Sequence, residues 1–391
     1  MPKYPGNITS KLPQLGTTIF TVMSKLADEH KALNLSQGFP NFNCPEELIS
    51  LVNKHMNQGR NQYAPMPGIM PLREIIAQKT QELYSATYHP ESEITITAGA
   101  TQAIYTAIAA TIREDDEVII FGPAYDCYLP AIELNGGKPV YLLLKEPTYS
   151  IDWNAVKKVI NHHTRMIIIN TPHNPTGSIL SASDMASLEK LTRNTDIIIL
   201  SDEVYEHILF DGFEHQSVAR YPGLAERSFI ISSFGKSYHA TGWKMGYCLA
   251  PQNLMAEFRK VHQFIVFSCN TSIQYALSEF LNKKDAYLEL GSFYQQKRDY
   301  FNRLLKGSEF SLIPASGTYF QLLGYKNISK EKDVDFAVRL TKEYGIASIP
   351  VSVFYNVPID NKVLRFCFAK DDETLERSAE ILCKIEINSR K

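Results

Sequence analysis

The chain has 391 residues and a formal net charge of -2; 44% of its residues are hydrophobic and 21% are charged. At roughly 150 residues per domain, this length predicts two domains, or one large domain with a smaller one. The near-neutral charge argues against a nucleic-acid partner and against a charged tail that binds membrane surfaces. We also expect no membrane span, because no run of 18 apolar residues occurs, and no secretory signal, because the first twelve residues lack a long apolar core.

The cysteines and histidines carry no recognisable ligand or disulfide pattern. The six cysteines form no C-x-x-C pair, so we expect thiols in a reducing cytoplasm. The ten histidines lack H-E-x-x-H or similar spacing, and we therefore expect no metal.

The first 90 residues contain several prolines and predict irregular structure. Seven short apolar runs then follow, bounded by Gly, Pro, Asn or Asp, and they predict strands buried on both faces. These runs are 94–97, 117–121, 139–144, 166–170, 196–200, 228–232 and 245–250. Helix-like patterns at 101–113, 152–161 and 182–192 lie between some of them. This alternation predicts an α/β fold with a mostly parallel seven-stranded sheet and helices on both faces.

From about residue 285 onward, charged helical patterns alternate with short strands at 318–323 and 363–367. We interpret this part as a smaller α+β domain that the N-terminal segment completes. The predicted division is therefore an N-terminal segment at 1–45, a large domain at 46–285 and a small C-terminal domain at 286–391.

Polar groups follow five of the predicted strands. In an open α/β sheet, ligands bind beyond the carboxyl ends of the strands, so these groups are expected to converge on one rim. The five segments begin at Ala98, Gly122, Asn170, Ser201 and Ser233.

Three of these segments carry a family pattern. Asn174-Pro175-Thr176-Gly177, Asp202-Glu203-Val204-Tyr205 and Ser233-Phe234-Gly235-Lys236 occur in that order, and Gly242-Trp243-Lys244-Met245-Gly246 follows. With them the chain resembles the class I aminotransferases of fold type I, over residues 34 to 366. It is most similar to the methionine aminotransferase subgroup and similar also to glutamine/kynurenine aminotransferases.

The resemblance implies pyridoxal 5′-phosphate as cofactor, with Lys236 bound to it as a Schiff base. Such a lysine must be a nucleophilic amine, which requires a lowered pKa in a partly desolvated pocket. Asp202 is expected to pair with the pyridine nitrogen, Tyr205 and Asn174 to bind the ring oxygen, and Tyr125 to stack on the ring. Lys236, Asp202 and Tyr205 are thus the predicted catalytic residues.

The phosphate of the cofactor needs an anion site. Ala100 and Thr101 are expected at a helix N-terminus, where backbone N–H groups point outward. Ser233 adds a hydroxyl and Lys244 a cation, where many relatives carry arginine. Lysine lacks the bidentate fork of arginine, so its grip should be less directional. Tyr63 matches the family tyrosine that crosses from the partner subunit to the phosphate, which implies a homodimer with shared active sites.

Arg365 is the predicted clamp for the substrate carboxylate. It stands in an apolar strand pattern, where a guanidinium is costly to bury without a partner; an internal ion pair is the alternative. Gly38 could allow close approach of the backbone to the substrate, and Asn174 and Phe39 are further candidates there. Phe39, Tyr63 and Phe354 could form an apolar pocket. We therefore expect transfer of the amino group of a neutral amino acid, methionine or aromatic, to a 2-oxo acid.

Four other interpretations compete with this one. Gly235-Lys236-Ser237 resembles the end of a P-loop, but Ile230 stands where that pattern needs glycine. The S-x-x-K pattern of Ser233 and Lys236 fits a serine hydrolase, but the partner motifs S-D-N and K-T-G are absent. A cofactor-binding regulator would need a DNA-binding domain, for which the chain has neither length nor charge. A cysteine-S-conjugate β-lyase stays open, because both reactions begin by breaking the Cα–H bond.

Overall fold

A computed structural model describes residue 2 and residues 4–386. Met1, Lys3 and residues 387–391, which belong to the predicted N-terminal segment and C-terminal domain, lie outside the described residues.

The described residues form thirteen strands and fifteen α-helices. The strands are β1 (Leu33–Asn34), β2 (Ile94–Thr97), β3 (Glu117–Gly122), β4 (Lys138–Leu143), β5 (Thr164–Asn170), β6 (Ile198–Asp202), β7 (Ser228–Ser233), β8 (Gly246–Leu249), β9 (Ser311–Ile313), β10 (Phe320–Gly324), β11 (Ile346–Ala347), β12 (Ile349–Pro350) and β13 (Val363–Cys367). The helices are α1 (Ile19–Glu29), α2 (Glu46–Asn57), α3 (Met70–Tyr84), α4 (Ala100–Thr111), α5 (Tyr128–Leu134), α6 (Trp153–Val159), α7 (Ala182–Thr192), α8 (Pro222–Ala225), α9 (Phe234–Ser237), α10 (Gln252–Ile265), α11 (Thr271–Phe280), α12 (Asp285–Leu288), α13 (Leu290–Leu304), α14 (Asp333–Arg339) and α15 (Asp372–Cys383).

The seven predicted strands form one sheet, which confirms the predicted architecture. Its order is β2-β8-β7-β6-β5-β3-β4, and β8 runs in the opposite direction to the other six strands. Because β2 and β7 are both antiparallel to β8, β2 points the same way as the parallel strands. The carboxyl ends of β2, β3, β5, β6 and β7 therefore share one edge of the sheet, where ligands bind in this class of fold.

Side chains of the central strands alternate between two cores. In β3, Val118 and Ile120 pack with residues of α4 and α10, whereas Ile119 and Phe121 pack on the opposite face with residues of α3 and α7. The expectation of burial on both faces is wrong for β4, which is mostly half-exposed. This strand lies at the edge of the sheet, with β3 as its neighbour on one side.

The expectation of irregular structure before residue 90 is also wrong, because α1, α2 and α3 lie there. Pro71 occupies the first turn of α3, and Pro45 directly precedes α2. Proline at the start of a helix needs no N–H partner and has a suitable φ, so these prolines begin helices rather than interrupt them.

The C-terminal part contains a four-stranded sheet with the order β12-β13-β10-β9, in which all pairs are antiparallel. The N-terminal strand β1 pairs in parallel with β11. Strand β10 begins at Phe320, two residues after the predicted start, since Thr318 has a left-handed φ of 65°. In the part of the chain that the structure covers, no helix is long and apolar enough to cross a membrane.

Candidate active site

A pocket lies at the shared carboxyl edge of the sheet. Nine of the residues that the sequence assigns to cofactor binding line it in a single chain: Ala100, Thr101, Tyr125, Asn174, Asp202, Tyr205, Ser233, Lys236 and Lys244. Eight of them lie at or after the carboxyl ends of five strands, as the alternating pattern predicts, whereas Lys244 precedes β8.

Lys236 lies in the short helix α9, directly after β7. Its Nζ donates to the backbone carbonyl of Gly38 at 3.0 Å and to the hydroxyl of Tyr319 at 2.8 Å. Burial is the main cause that lowers the pKa of this amine from 10.5 to about 8, and the nearby cations Arg365 and Lys244 act in the same direction. A sizeable fraction of the amine is therefore neutral near physiological pH, as a nucleophile or base requires.

Asp202 ends β6 and is 3% exposed. Its Oδ2 accepts a hydrogen bond from the Tyr128 hydroxyl at 2.6 Å, and its Oδ1 accepts one from the Val204 N–H at 3.3 Å. Burial raises the pKa of this carboxyl to about 6, although the bond from Tyr128 opposes the change. A buried carboxylate held by neutral donors is suited to a cationic partner.

Two asparagines join the ends of β5 and β6. The side chain of Asn170 donates to the backbone carbonyl of Asp202 at 2.8 Å, and its Oδ1 accepts the N–H of Asn174 at 2.8 Å. The side-chain Oδ1 of Asn174 in turn accepts a hydrogen bond from Arg365 at 2.8 Å. These bonds position Asn174 between the pocket and Arg365.

The N-terminus of α4 forms one wall of the pocket. Its N-cap is Gly99, with a φ of 78°, and its first turn has neither an acidic residue nor a side-chain cap. A Cβ at Gly99 would lie 3.5 Å from the Nζ of Lys244 and 3.4 Å from its Cε, so this lysine passes close to the helix end. The positive end of a twelve-residue helix and a lysine thus face the same space, an arrangement that favours a bound anion.

Arg365, in β13, is 1% exposed. Its Nη1 donates to Asn174 and its Nη2 to the carbonyl of Ser36 at 3.0 Å. Its guanidinium carbon lies 4.0 Å from the centre of the Phe320 ring. Among the described residues its buried Nε has no hydrogen-bond partner. Within the described part of the chain no carboxylate forms an ion pair with this guanidinium, although Asp126 lies near enough to oppose the lowering of the Arg365 pKa that burial causes.

The remaining predicted residues are not part of this pocket's lining. Tyr63 is 81% exposed, with its ring 5.2 Å from that of Phe267. Phe39 is 45% exposed, whereas Phe354 is buried. Gly38 contributes its carbonyl to Lys236, and a Cβ there would lie 3.0 Å from the Phe320 ring. A single chain therefore does not bring Phe39, Tyr63 and Phe354 together around the pocket.

Sequence reasoning missed Tyr128 and Tyr319, and it named Asn170 only as the start of a strand-end segment, without a role in the site. Asn170 is the last residue of β5, so its position at a strand end was a usable signal. Tyr128 follows Tyr125 by one helical turn and could also have been considered. Nothing local points to Tyr319, which belongs to a distant segment of the chain.

Comparison with known proteins gives a consistent result. The family model described as aminotransferase class I and II matches residues 30–382. The methionine aminotransferase of Escherichia coli is 50% identical over 374 residues, which cover 95% of this chain and 97% of that protein. Human kynurenine–oxoglutarate transaminase 1 is 33% identical, and the match covers 93% of this chain and 94% of that protein.

A solved structure is also closely similar. The crystal structure of YbdL from Escherichia coli, for which a methionine aminotransferase function is described, superposes with a TM-score of 0.95 and 49% identity. The match covers 97% of this chain and all of that chain.

Proposed function

The chain belongs to the class I and II aminotransferase family and is an aminotransferase, and we propose that it uses pyridoxal 5′-phosphate to transfer the amino group of methionine or an aromatic amino acid to a 2-oxo acid. One observation carries the proposal. The buried amine of Lys236, the buried carboxylate of Asp202 and the positive end of α4 with Lys244 line one pocket. They complement the aldehyde, the ring nitrogen and the phosphate of that cofactor.

The residues present fit this group. The carboxyl of Asp202 has neutral donors, so a protonated ring nitrogen would supply its missing cation. The anion site at α4 has Ala100 and Thr101 as backbone donors, with Ser233 and Lys244 beside them. Tyr205, Asn174 and Tyr125 line the same pocket, and in the proposal Tyr205 and the side-chain amide of Asn174 bind the ring oxygen while Tyr125 stacks on the ring.

When bound, pyridoxal phosphate supplies an electron sink for the pair left on Cα. In the proposed mechanism, Lys236 removes the proton from Cα of the substrate and later returns it to another carbon, acting as base and then acid. Arg365 holds the substrate carboxylate, and Asn174 orients Arg365. Burial of these groups excludes water and strengthens their electrostatic interactions.

The preference for methionine or an aromatic amino acid is supported by the relatives, since the Escherichia coli enzyme is a methionine aminotransferase and the human one a kynurenine transaminase. Phe39 and Phe354 are proposed to contact the substrate side chain, with Tyr63 of a second subunit. Near Arg365, Phe354 already lies 5.3 Å from the guanidinium carbon.

We also propose a homodimer with shared active sites, in which Tyr63 of each subunit reaches the active site of the other. Its 81% exposure in one chain, beside Phe267 at 50%, supports this assembly.

The division into a segment at 1–45, a large domain at 46–285 and a small domain at 286–391 is kept as a proposal, supported by the pairing of β1 with β11. A cytoplasmic location is supported by six cysteines that form no disulfide.

The function is tested by the products and by the attachment site. Purified protein should be yellow, and borohydride should fix the cofactor to Lys236, as peptide mass spectrometry would show. Steady-state rates across the amino acids and several 2-oxo acids should be highest for methionine or an aromatic donor. Transamination at the normal rate by a Lys236→Ala variant would contradict the proposal.

Formation of pyruvate and ammonia from cysteine conjugates, without transamination, would instead identify a β-lyase. Membership of the aminotransferase family does not favour the serine-hydrolase alternative.

A further inference from the structure

Tyr319 is the second group that holds the amine of Lys236. Its hydroxyl lies 2.8 Å from Nζ of Lys236 and 2.6 Å from the carbonyl oxygen of Gly38, which also accepts from Nζ at 3.0 Å. Tyr319 is fully buried. The amine, the hydroxyl and the carbonyl therefore form a three-membered cluster in which Lys236 and Gly38 are partly buried.

The direction of each hydrogen bond in this cluster follows from valence. A backbone carbonyl has no hydrogen, so the Tyr319 hydroxyl must donate its single proton to Gly38. The hydroxyl oxygen then serves as an acceptor, and Lys236 donates to it. Lys236 thus directs two N–H bonds at two fixed acceptors, which orients its lone pair or third hydrogen.

Backbone hydrogen bonds hold the segment that precedes Tyr319. The N–H groups of Ser316 and Gly317 donate to the carbonyl of Gly177, and the N–H of Thr318 donates to that of Ile208 at 3.0 Å. These bonds attach the start of β10 to the loops that follow β5 and β6. Thr318 is fully buried with a φ of 65°, a strained conformation for a β-branched residue that persists only where its surroundings impose it.

Strand β10 also connects Tyr319 to the predicted substrate clamp. Leu322 of β10 pairs with Arg365 of β13, and Phe320 stacks on the Arg365 guanidinium. The hydroxyl on Lys236 and the guanidinium thus belong to one small sheet, which can position them together.

We propose that Tyr319 is a positioning residue, which together with the Gly38 carbonyl holds the Lys236 amine in the orientation that proton transfer requires. Tyr319 neither gains nor loses a proton in this role. The inference rests on the proposed function, in which Lys236 moves the proton. It assigns the small sheet a direct part in the reaction, beyond the binding of the substrate carboxylate.

The charged surroundings predict the effect of removing the hydroxyl. Arg365 and Lys244 disfavour the ammonium form of Lys236, whereas Asp202 and the Cys367 thiol favour it. The rings of Tyr205 and Tyr319 lie 5.6 and 5.4 Å from Nζ. Loss of one acceptor leaves the buried ammonium with a single partner, so the pKa of Lys236 should fall further below 8.

The test compares Tyr319→Phe with Tyr294→Phe in the full chain. Tyr294 is an equally buried neighbour, with ring centres 5.5 Å apart, but its hydroxyl bonds to His239 rather than to Lys236. With enzyme loaded with pyridoxal phosphate, single-turnover rates should be measured with methionine and with α-deuterated methionine. Tyr319→Phe should slow this rate by roughly tenfold or more and enlarge the isotope effect, and in steady-state measurements KM for methionine should change less than about twofold. Tyr294→Phe should change neither rate nor isotope effect.

A second readout does not depend on turnover. The pH dependence of acetylation of Lys236 in the cofactor-free full chain, followed by peptide mass spectrometry, reports the pKa of its amine. The midpoint should fall by about one unit in Tyr319→Phe and stay unchanged in Tyr294→Phe. If Tyr319→Phe does not fold, 3-fluorotyrosine introduced at position 319 keeps the shape but weakens the acceptor, and a smaller fall in the midpoint is expected.

The outcomes separate this inference from the proposed function. A Lys236→Ala variant that turns over normally would remove the proposed function and Tyr319's role with it. If Lys236→Ala is inactive but the position-319 variant matches Tyr294→Phe in isotope effect and acetylation midpoint, the role of Tyr319 is refuted while the proposed function stands. A slower rate with an unchanged isotope effect and midpoint would also refute it, since that pattern indicates a structural defect.

Discussion

Two basic side chains of the site, the partly buried Lys236 and the fully buried Arg365, have neutral hydrogen-bond partners. Lys236 donates to Gly38 and Tyr319, and Arg365 donates to Asn174 and Ser36. Burying a cation without a counter-ion is costly, and such a cost persists where the charge serves another purpose. A substrate carboxylate at Arg365 and proton transfer at Lys236 are the purposes that we propose.

Replacement of Arg365 separates its charge from its geometry. Arg365→Lys keeps the positive charge but loses the planar fork, so kcat/KM for the amino donor should fall roughly 100-fold. Arg365→Met should lose more, because the charge is also removed. Steady-state kinetics measure both, with the absorbance of the bound cofactor as a control for intact loading. An unchanged kcat/KM in both variants would exclude Arg365 as the clamp.

The lowered pKa of Lys236 predicts a pH-dependent cost to stability. Its folded-state pKa of about 8 lies below the ordinary value of 10.5, so between these values the folded chain binds fewer protons than the unfolded chain. The destabilisation is therefore complete below pH 8 and disappears as the pH rises towards 10.5. In the cofactor-free protein, Lys236→Met should raise the unfolding temperature at pH 7 but little at pH 10.5.

Thermal unfolding of Lys236→Met beside Lys157→Met, a change at an exposed lysine, tests this expectation. A gain for Lys236→Met that is equal at both pH values would show that the amine is not buried as a charge.

At the level of single elements, the start of α4 has the clearest functional geometry. Gly99 allows the turn from β2 into the helix with a positive φ and leaves room for the side chain of Lys244. Lys244 itself has a left-handed φ of 53°, which returns the chain towards β8. The helix end and the lysine therefore depend on two local backbone turns.

Lys244→Met should weaken binding of pyridoxal phosphate roughly tenfold, because one charge-assisted contact to the phosphate is lost. Lys244→Arg should bind as well as the wild-type chain or better, since the fork adds a second contact. Fluorescence titration of the cofactor-free protein measures the affinity. Pyridoxal, which lacks the phosphate, is the matched control and should bind all three proteins equally. A loss that is the same for pyridoxal would place Lys244 elsewhere than at the phosphate.

For the whole molecule, the main question is whether one chain completes the site. Nine predicted residues share a pocket, but Tyr63 lies on the surface beside Phe267. In a symmetric dimer, the surface that carries Tyr63 would contact the same surface of a second copy. We propose that this contact brings Tyr63 of each subunit to the pocket of the other.

Complementation between two impaired variants tests the shared site. Tyr63→Ala and Lys236→Ala should each be strongly impaired, but a hybrid dimer has one site that contains both native residues. After dissociation and random reassociation of equal amounts, about a quarter of the sites should be intact. Activity recovered on mixing measures this fraction. No recovery, when hybrids are demonstrated by native mass spectrometry, would show that Tyr63 acts within its own subunit.

The sequence by itself determined the class of fold, the family and the positions of most pocket residues. Apolar runs of four to six residues mark the strands, and the segments that begin at Asn170, Ser201 and Ser233 lie at strand ends that a parallel sheet must bring together. The aminotransferase prediction is confirmed by the family model. It could be made from the sequence because the motifs that carry it are local in the chain. The roles of the individual residues stay predictions.

Only the tertiary structure decided what depends on contacts between distant segments. The bonds from Tyr319 to Lys236 and from Tyr128 to Asp202 span 83 and 74 positions of the chain, and no local pattern encodes such pairs. The partial exposure of β4 likewise follows from its place at the sheet edge rather than from its composition. Local sequence specifies a strand and its end, whereas the partners of a buried polar group are specified by the packing of the whole chain, and this packing places Tyr319 on Lys236.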